Sequence, residues 1–450
     1  MHLRLCLLAA ALAAPGAVHA NDLMRVFDLA AQNDATIRAA AYARDASLEA
    51  RPQARAALLP QLTGSYDYGY ADTEARYSGE GRVLDPETGQ LVEATNRNYG
   101  TEETLSVTLS QSVFSLENWR RLQQADSQVA LAQASFRAAE QDLVLRVAEA
   151  YFGVLDARDA LRSAQAEKAA VERQLEQARK RFEVGLSAIT DVQEAQARYD
   201  LTVASELQGQ QALAAAREAL AEITTVQPGE LASLQEDIPL PAPNPDSVAS
   251  WVEYALEGNL DLLAARLNYD IAARGVQVAR SGHLPTVGLQ GQYRDFTLES
   301  GSFPQEGDSS SVTLGVTLPI YSGGAVRSSV REAIATREQR RAEQDGSARL
   351  VERNTRDAYQ GVITGAAQVK AFKQAVVSSA TALEASETGL EVGTRTAVDV
   401  LNAQQQLYAA QRNYFQSRYN YLLSVLRLKA AAGRLGTADL AEIDRLLIGE

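Results

Sequence analysis

The chain has 450 residues and a formal charge of −14, with 57 acidic against 43 basic side chains. That balance argues against nucleic acid, whose phosphate contacts demand Lys and Arg. The single cysteine and two of the three histidines fall within the first 20 residues, MHLRLCLLAAALAAPGAVHA, which leaves little for metal or nucleophilic chemistry elsewhere.

Those first residues read as a cleaved secretory signal, residues 1–20. Basic Arg4 precedes an apolar run, and Val18-His19-Ala20 has small residues where signal peptidase requires them. The run is shorter than the roughly 20 residues of a spanning helix, and Cys6 lies too early to carry a lipid. A mature chain from about Asn21 keeps no cysteine and one histidine, His283, in SGHLPT. Disulfides, thiolate metal sites and His clusters are thereby excluded, no cofactor is expected, and a periplasmic hydrolase lacks its residues. No later apolar run is long enough for a transmembrane helix, whereas β-strands carry a weaker membrane signal.

The first strands are predicted at about 61–71 and 104–114, around a loop at 72–103. Leu62, Gly64, Tyr66, Tyr68 and Tyr70 alternate with Thr63, Ser65, Asp67 and Gly69; Leu105, Val107 and Leu109 alternate with Ser106, Thr108 and Ser110. Each run has about the 9–11 residues of a tilted strand crossing a bilayer, and the tyrosines suit an interface. An exposed soluble hairpin would alternate the same way.

No proline occurs between Pro86 and Pro228, as long helices require. Long helices are therefore predicted over about 116–225. From Leu122 to Phe182 apolar residues recur at spacings of three and four, with a polar interruption at Lys168: a coiled-coil seam rich in alanine. An unbroken helix from Leu116 to Phe182 would run roughly 100 Å. A proline-rich connector, IPLPAPNPD, lies within 229–246. Beyond it strands are predicted at about 286–296 and 311–321, long helices at about 323–433, and a C-terminal segment at 437–450.

The chain repeats itself. RFEVGLSAITDV (181–192) returns as LEVGTRTAVDV (390–400), with Gly185 matching Gly393 and Asp191 matching Asp399. LLPQLTGSYDY returns as HLPTVGLQGQY, and VTLSQSVFS as LGVTLPIYS. Two structural repeats follow, 21–228 and 247–436. Four strands cannot close a barrel, and open edges are not tolerated in lipid. If these strands span a membrane, several chains must each contribute four; pattern alone does not choose between two, three or four.

LLPQL, SVFS, AYFGVLDA, RFEVGLSAITDVQEAQARYD, GHLPT, LPIYSGG, VGTRTAVDVL and NYLLSVLRLKAAAG together resemble the TolC family of outer-membrane channel-tunnels, across essentially the whole mature chain. The resemblance implies an α+β membrane protein: a homotrimeric transmembrane β-barrel with four strands per protomer, continued by a long periplasmic α-helical coiled-coil barrel. A mixed belt would be built partly from the inter-repeat segment and the C-terminus. It further implies an export duct in the outer membrane of a Gram-negative bacterium, performing no chemistry. Its partners would be a periplasmic adaptor and an inner-membrane efflux pump or ABC transporter, for tripartite efflux or type I secretion.

By the same resemblance, Val184, Gly185 and Leu186 and Val392, Gly393 and Thr394 are adaptor-docking tips. Thr190, Asp191 and Arg395 belong to a polar gate, with Arg395 partnering an acidic or carbonyl group on a neighbouring helix. Asp399 supplies an entrance ring of carboxylates open to block by cations, with no resident metal required. Plainer readings exist: both glycines could end helices, Asp191 could cap the next helix, and Asp399 could be a solvated tip residue. The sequence departs from the family at Leu390, where a gate tyrosine is expected, and at Asn402, where a second entrance aspartate is expected. The alternative of another class is a soluble periplasmic coiled-coil adaptor or scaffold.

Overall fold

The computed structural model describes residues 23–300 and 304–448; the expected signal segment lies outside them. In chain order the elements are α1 (Leu23–Asn33), α2 (Ala35–Leu48), α3 (Ala50–Ala56), β1 (Gln61–Leu84), β2 (Leu91–Phe114), α4 (Leu116–Glu183) and α5 (Ile189–Thr224). Then come β3 (Ser233–Leu234), α6 (Val248–Gly258), α7 (Leu260–Ser281), β4 (Thr286–Ser300), β5 (Gln305–Thr317), α8 (Ala325–Glu391), α9 (Ala397–Ala431), α10 (Thr437–Asp444) and β6 (Leu447–Ile448). A hairpin of strands followed by a helix of 68 or 67 residues and one of 36 or 35 occurs twice. No described helix is long and apolar enough to cross a membrane.

Two compact units result. One takes residues 43–133 and 264–344; the other takes the chain up to Tyr42, 134–263 and 345 onward. The first contains a four-stranded antiparallel sheet in the order β1-β2-β4-β5. Its register places Leu62, Leu109, Gly291 and Val312 in one row, with Val107 and Tyr293 in the next row and Leu289 and Leu314 on the other side. One face is thus apolar and open to its surroundings; Leu62 is 71% and Val312 80% exposed. Among the described residues β1 and β5 are unpaired edges.

The strands differ from their expected extents in three places; in the second hairpin β4 runs on to Ser300 rather than 296, and β5 begins at Gln305 rather than 311. The segment 72–103, expected as a loop, instead prolongs β1 and β2 to a turn at Asp85–Gln90, where Asp85 Oδ1 accepts from the Glu87 amide at 2.8 Å and Gly89 has φ +68°. This outer half is polar and therefore shows no period-two signal. The last strand stops at Thr317 rather than 321, because Pro319 has no N–H to give the ladder, and Gly323 and Gly324 then turn the chain with positive φ.

In the second unit the predicted seam of α4 is buried at Leu143, Val147, Val154, Val171, Leu175 and Ala178, while Phe182 at its end is exposed. The interruption is an ion pair, Lys168 Nζ to Glu206 Oε2 of α5 at 2.8 Å. A second buried stripe through Val144, Ala148, Tyr151, Phe152 and Leu155 makes α4 a helix with neighbours on two sides. The connector is fastened rather than loose. Tyr151, Tyr414 and Tyr421 donate their hydroxyls to the carbonyls of Ala232, Glu236 and Pro241 at 2.9–3.1 Å. Ser233 and Leu234 pair with Ile448 and Leu447, so inter-repeat segment and C-terminus share a small sheet. Nearby α1 meets α10: the Leu23 amide donates to Asp444 Oδ1 at 2.8 Å, and Leu23, Val26, Leu440 and Ile443 are buried in one core.

Candidate functional site

The two helix-turn-helix tips are built alike at their first halves. At the end of α4 the Gly185 amide donates to Phe182 O at 2.9 Å and the Leu186 amide to Arg181 O at 2.8 Å, with Gly185 at φ +75°. At the end of α8 the Gly393 amide donates to Leu390 O at 3.3 Å and the Thr394 amide to Gly389 O at 2.8 Å, with Gly393 at φ +77°. Both are Schellman closures, in which a left-handed glycine lets the chain reverse without a β-carbon clash. The turns leave Val184, Leu186 and Val392 standing out into solvent. Thr190 is also exposed, and Leu390 is half-buried.

The second halves differ. The residue preceding α9 is Thr396, and it forms a capping box with Asp399. Thr396 Oγ1 accepts from the Asp399 amide at 3.2 Å, while Asp399 Oδ2 accepts from the Thr396 amide and hydroxyl, both at 2.9 Å. Hydrogen bonds from the Thr396 backbone and side chain, with the Arg395 charge, hold the Asp399 carboxyl below its ordinary range. The residue preceding α5 is Ala188, which has no side-chain oxygen to offer, so that helix starts without a side-chain cap. Asp191 is not the N-cap residue, but it sits in the first turn, where its charge meets the positive end of the helix dipole. Among the described residues its carboxylate has no hydrogen-bonded or ionic partner.

Among the described residues Arg395 forms no side-chain hydrogen bond or ion pair with another helix of its own chain. Its amide donates to Gly389 O at 3.1 Å, and its stem lies back over Gly389: a β-carbon there would come 2.6 Å from Arg395 Cγ. Gly389 is buried under it. Asn402, the missing aspartate, receives instead the Arg198 guanidinium of α5 at 3.5 Å, which also bonds Gln405. Beneath these polar contacts Leu175 and Ala178 of α4, Val192 and Ala195 of α5 and Leu401 of α9 form one buried cluster. Sequence reasoning missed Thr396, Gly389 and Arg198. Only the first had a local signal, the Thr-x-x-Asp spacing of a capping box. Among the described residues no group of three or more His, Cys, Asp or Glu is arranged to hold a metal.

A family model described as outer membrane efflux protein matches residues 26–225 and 251–434. The chain belongs to this family. Outer membrane protein TolC of Vibrio cholerae is 36% identical over 434 residues, covering 95% of this chain and 94% of the relative. The proteases secretion protein PrtF of Dickeya chrysanthemi is 31% identical over 432 residues, covering 95% and 91%. Among solved structures, the CmeC outer membrane channel of Campylobacter jejuni superposes with a TM-score of 0.76 over 98% of this chain and 94% of that one. At 16% sequence identity it speaks for the fold alone. This is therefore a TolC-family outer-membrane efflux protein of the Gram-negative envelope, and the soluble adaptor reading finds no support among its relatives.

Proposed function

We propose that three copies of this chain form a passive export duct, opened at its periplasmic helical tips. The observation that carries this reading is the sheet of β1, β2, β4 and β5, apolar on one face and unpaired at both edges. Such edges are not tolerated in lipid, and closure by neighbouring copies satisfies them. Twelve strands would make the barrel. The two structural repeats, 21–228 and 247–436, would supply the periplasmic helices, with 229–246 and 437–450 forming a belt. The protein performs no chemistry; a periplasmic adaptor and an inner-membrane pump or ABC transporter drive the substrate. Relatives named for efflux and for protease secretion support both uses of the duct.

In this reading the exposed Val184-Gly185-Leu186 and Val392-Gly393-Thr394 turns dock the adaptor. Thr190, Asp191 and Arg395 hold the tips together between protomers. Asp191 is free to take a partner because Ala188 asks nothing of it. The two oxygens of Asp399 act separately. Oδ2 caps α9, while Oδ1, which has no bond among the described residues, would face the entrance as one of three.

Purified protein in planar bilayers should give discrete channels; only soluble monomer from an export-competent host would overturn the duct. Asp399→Ala should weaken block by multivalent cations. Thr396→Ala breaks the capping box but keeps the carboxylate, and should retain the block. Equal block in unmodified and Asp399→Ala channels would remove Asp399 from the entrance. A separate structural outcome concerns the cap itself. Thr396→Ala should speed amide exchange in the first turn of α9 and leave that of α5 unchanged. Because the Asp399 carboxyl is held low, the cap's contribution is present above the ordinary carboxylate range. It is lost as pH falls through the depressed value.

A further inference from the structure

The polar face of the sheet is uneven in charge. From Thr286 and Thr317 upward its rows hold hydroxyls, amides and glycines, as far as Thr63, Thr108, Gln292 and Ser311. The next three rows bring Arg294, then Asp67, then Glu102 to the same face. Arg294 is the only basic residue in the stretch where β4 and β5 pair with the others, 61–71, 100–114, 286–300 and 305–317. It is held on two sides. Its Nη2 donates to Glu102 Oε1 at 3.1 Å and Thr104 Oγ1 at 3.3 Å. Its guanidinium also lies 5.5 Å from the centre of the Phe296 ring, and that ring rests on Gly307, where a β-carbon would sit 3.2 Å away. Asp67 accepts only the Ser65 hydroxyl, at 3.4 Å, and has no cationic partner among the described residues.

The opposite face changes at the same level. Its apolar rows end where Asp295 and Asp308 appear beside Leu105 and Tyr66. The charged tier of the polar face therefore lies at the outer limit of the apolar band.

We infer that Asp67, Glu102 and Arg294 form a charge belt inside the barrel, near its outer mouth, that sets the cation-over-anion preference of the exit. This rests on the duct reading. Glu102 neutralises Arg294, so each protomer adds the uncompensated Asp67, and three protomers add three. A ring of like charge in a narrow lumen favours the opposite ion. The pairing also draws the Arg294 guanidinium toward the wall, against Glu102 and Phe296.

Ion selectivity of the full chain in planar bilayers under a KCl gradient tests this. Arg294→Gln frees Glu102 and should raise the potassium-to-chloride permeability ratio about twofold or more. Asp67→Asn should lower it by a similar factor, and Arg294→Lys should leave it near the unmodified value. The differences should fade toward ~1 M salt, where the Debye length is about 3 Å. Channels whose ratio is the same in Arg294→Gln and Asp67→Asn would overturn the belt while leaving the duct intact. Absence of channels from the unmodified protein would overturn the duct and the belt together.

Discussion

Arg418→Met should destabilise the folded chain by about 3–5 kcal/mol, the range for removing one partner of a buried pair. Arg418 is 4% exposed. Its Nη1 donates to Gln235 O at 3.0 Å and Glu236 O at 3.2 Å, and its Nη2 lies 3.9 Å from Asp159 Oδ2. The guanidinium also sits 5.0–5.8 Å from the ring centres of Tyr414, Phe415 and Tyr419, with its Nε turned to no hydrogen-bond partner. Methionine would fill much of the space but leave two carbonyls and the Asp159 charge behind. Tyr419 would remain on Asp159 at 2.6 Å as a neutral donor, since burial and then the Asp159 charge push its hydroxyl well above the usual range. One neutral donor does not replace a cation. The shift in the urea midpoint measures the loss, and faster amide exchange at 231–238 would locate it in the connector. Adding Asp159→Asn should return part of the stability, because the stranded charge is gone. A single-variant loss under about 1 kcal/mol would mean that water reaches both groups.

At the second tip, Gly389→Ala and Arg395→Ser should each open the duct, and by similar amounts. An added β-carbon would stand 2.6 Å from Arg395 Cγ and 3.1 Å from its Cβ, so the clash falls on the root of the side chain. The root cannot swing away cheaply, because the Arg395 and Thr394 amides are both bound to Gly389 O. Overpacking of this kind costs roughly 1–3 kcal/mol, and the tip can relieve it by letting Arg395 leave its seat. Single-channel conductance should rise in both variants. A rise in Arg395→Ser alone would show that the gate does not need the seat.

The long helices were legible because proline gaps and three-four spacing are local properties. The membrane-length strands were legible because one face is apolar and the other polar. The outer halves of β1 and β2 were not, since a hairpin polar on both faces carries no alternation to read. At the tips the left-handed glycines could be placed from sequence, whereas their partners could not. Arg198 meets Asn402 and Gln405 across 204 and 207 residues of chain. Gly389 offered no hint that a side chain six residues on lies across it. Thr396 did announce itself, but Asp399 was read for what it offers an ion before what it does for its own helix. The two tips also exchange an arginine. Arg181 stands where the second repeat has Gly389, and Ser187 where it has Arg395. The basic side chain precedes the turn in one tip and follows it in the other.

The meeting of α1 with α10 has a consequence for the order of assembly. Leu23 and Val26 share a core with Leu440 and Ile443, and the Leu23 amide finds its acceptor in Asp444. A chain emerging in sequence order must therefore hold its opening helix unfinished until almost everything else has been delivered. Contacts so distant along the chain close late. Likewise β3 in the connector has no partner strand until β6 arrives. A chain cut short by its last dozen or so residues would carry long helices and strands with their fastening undone.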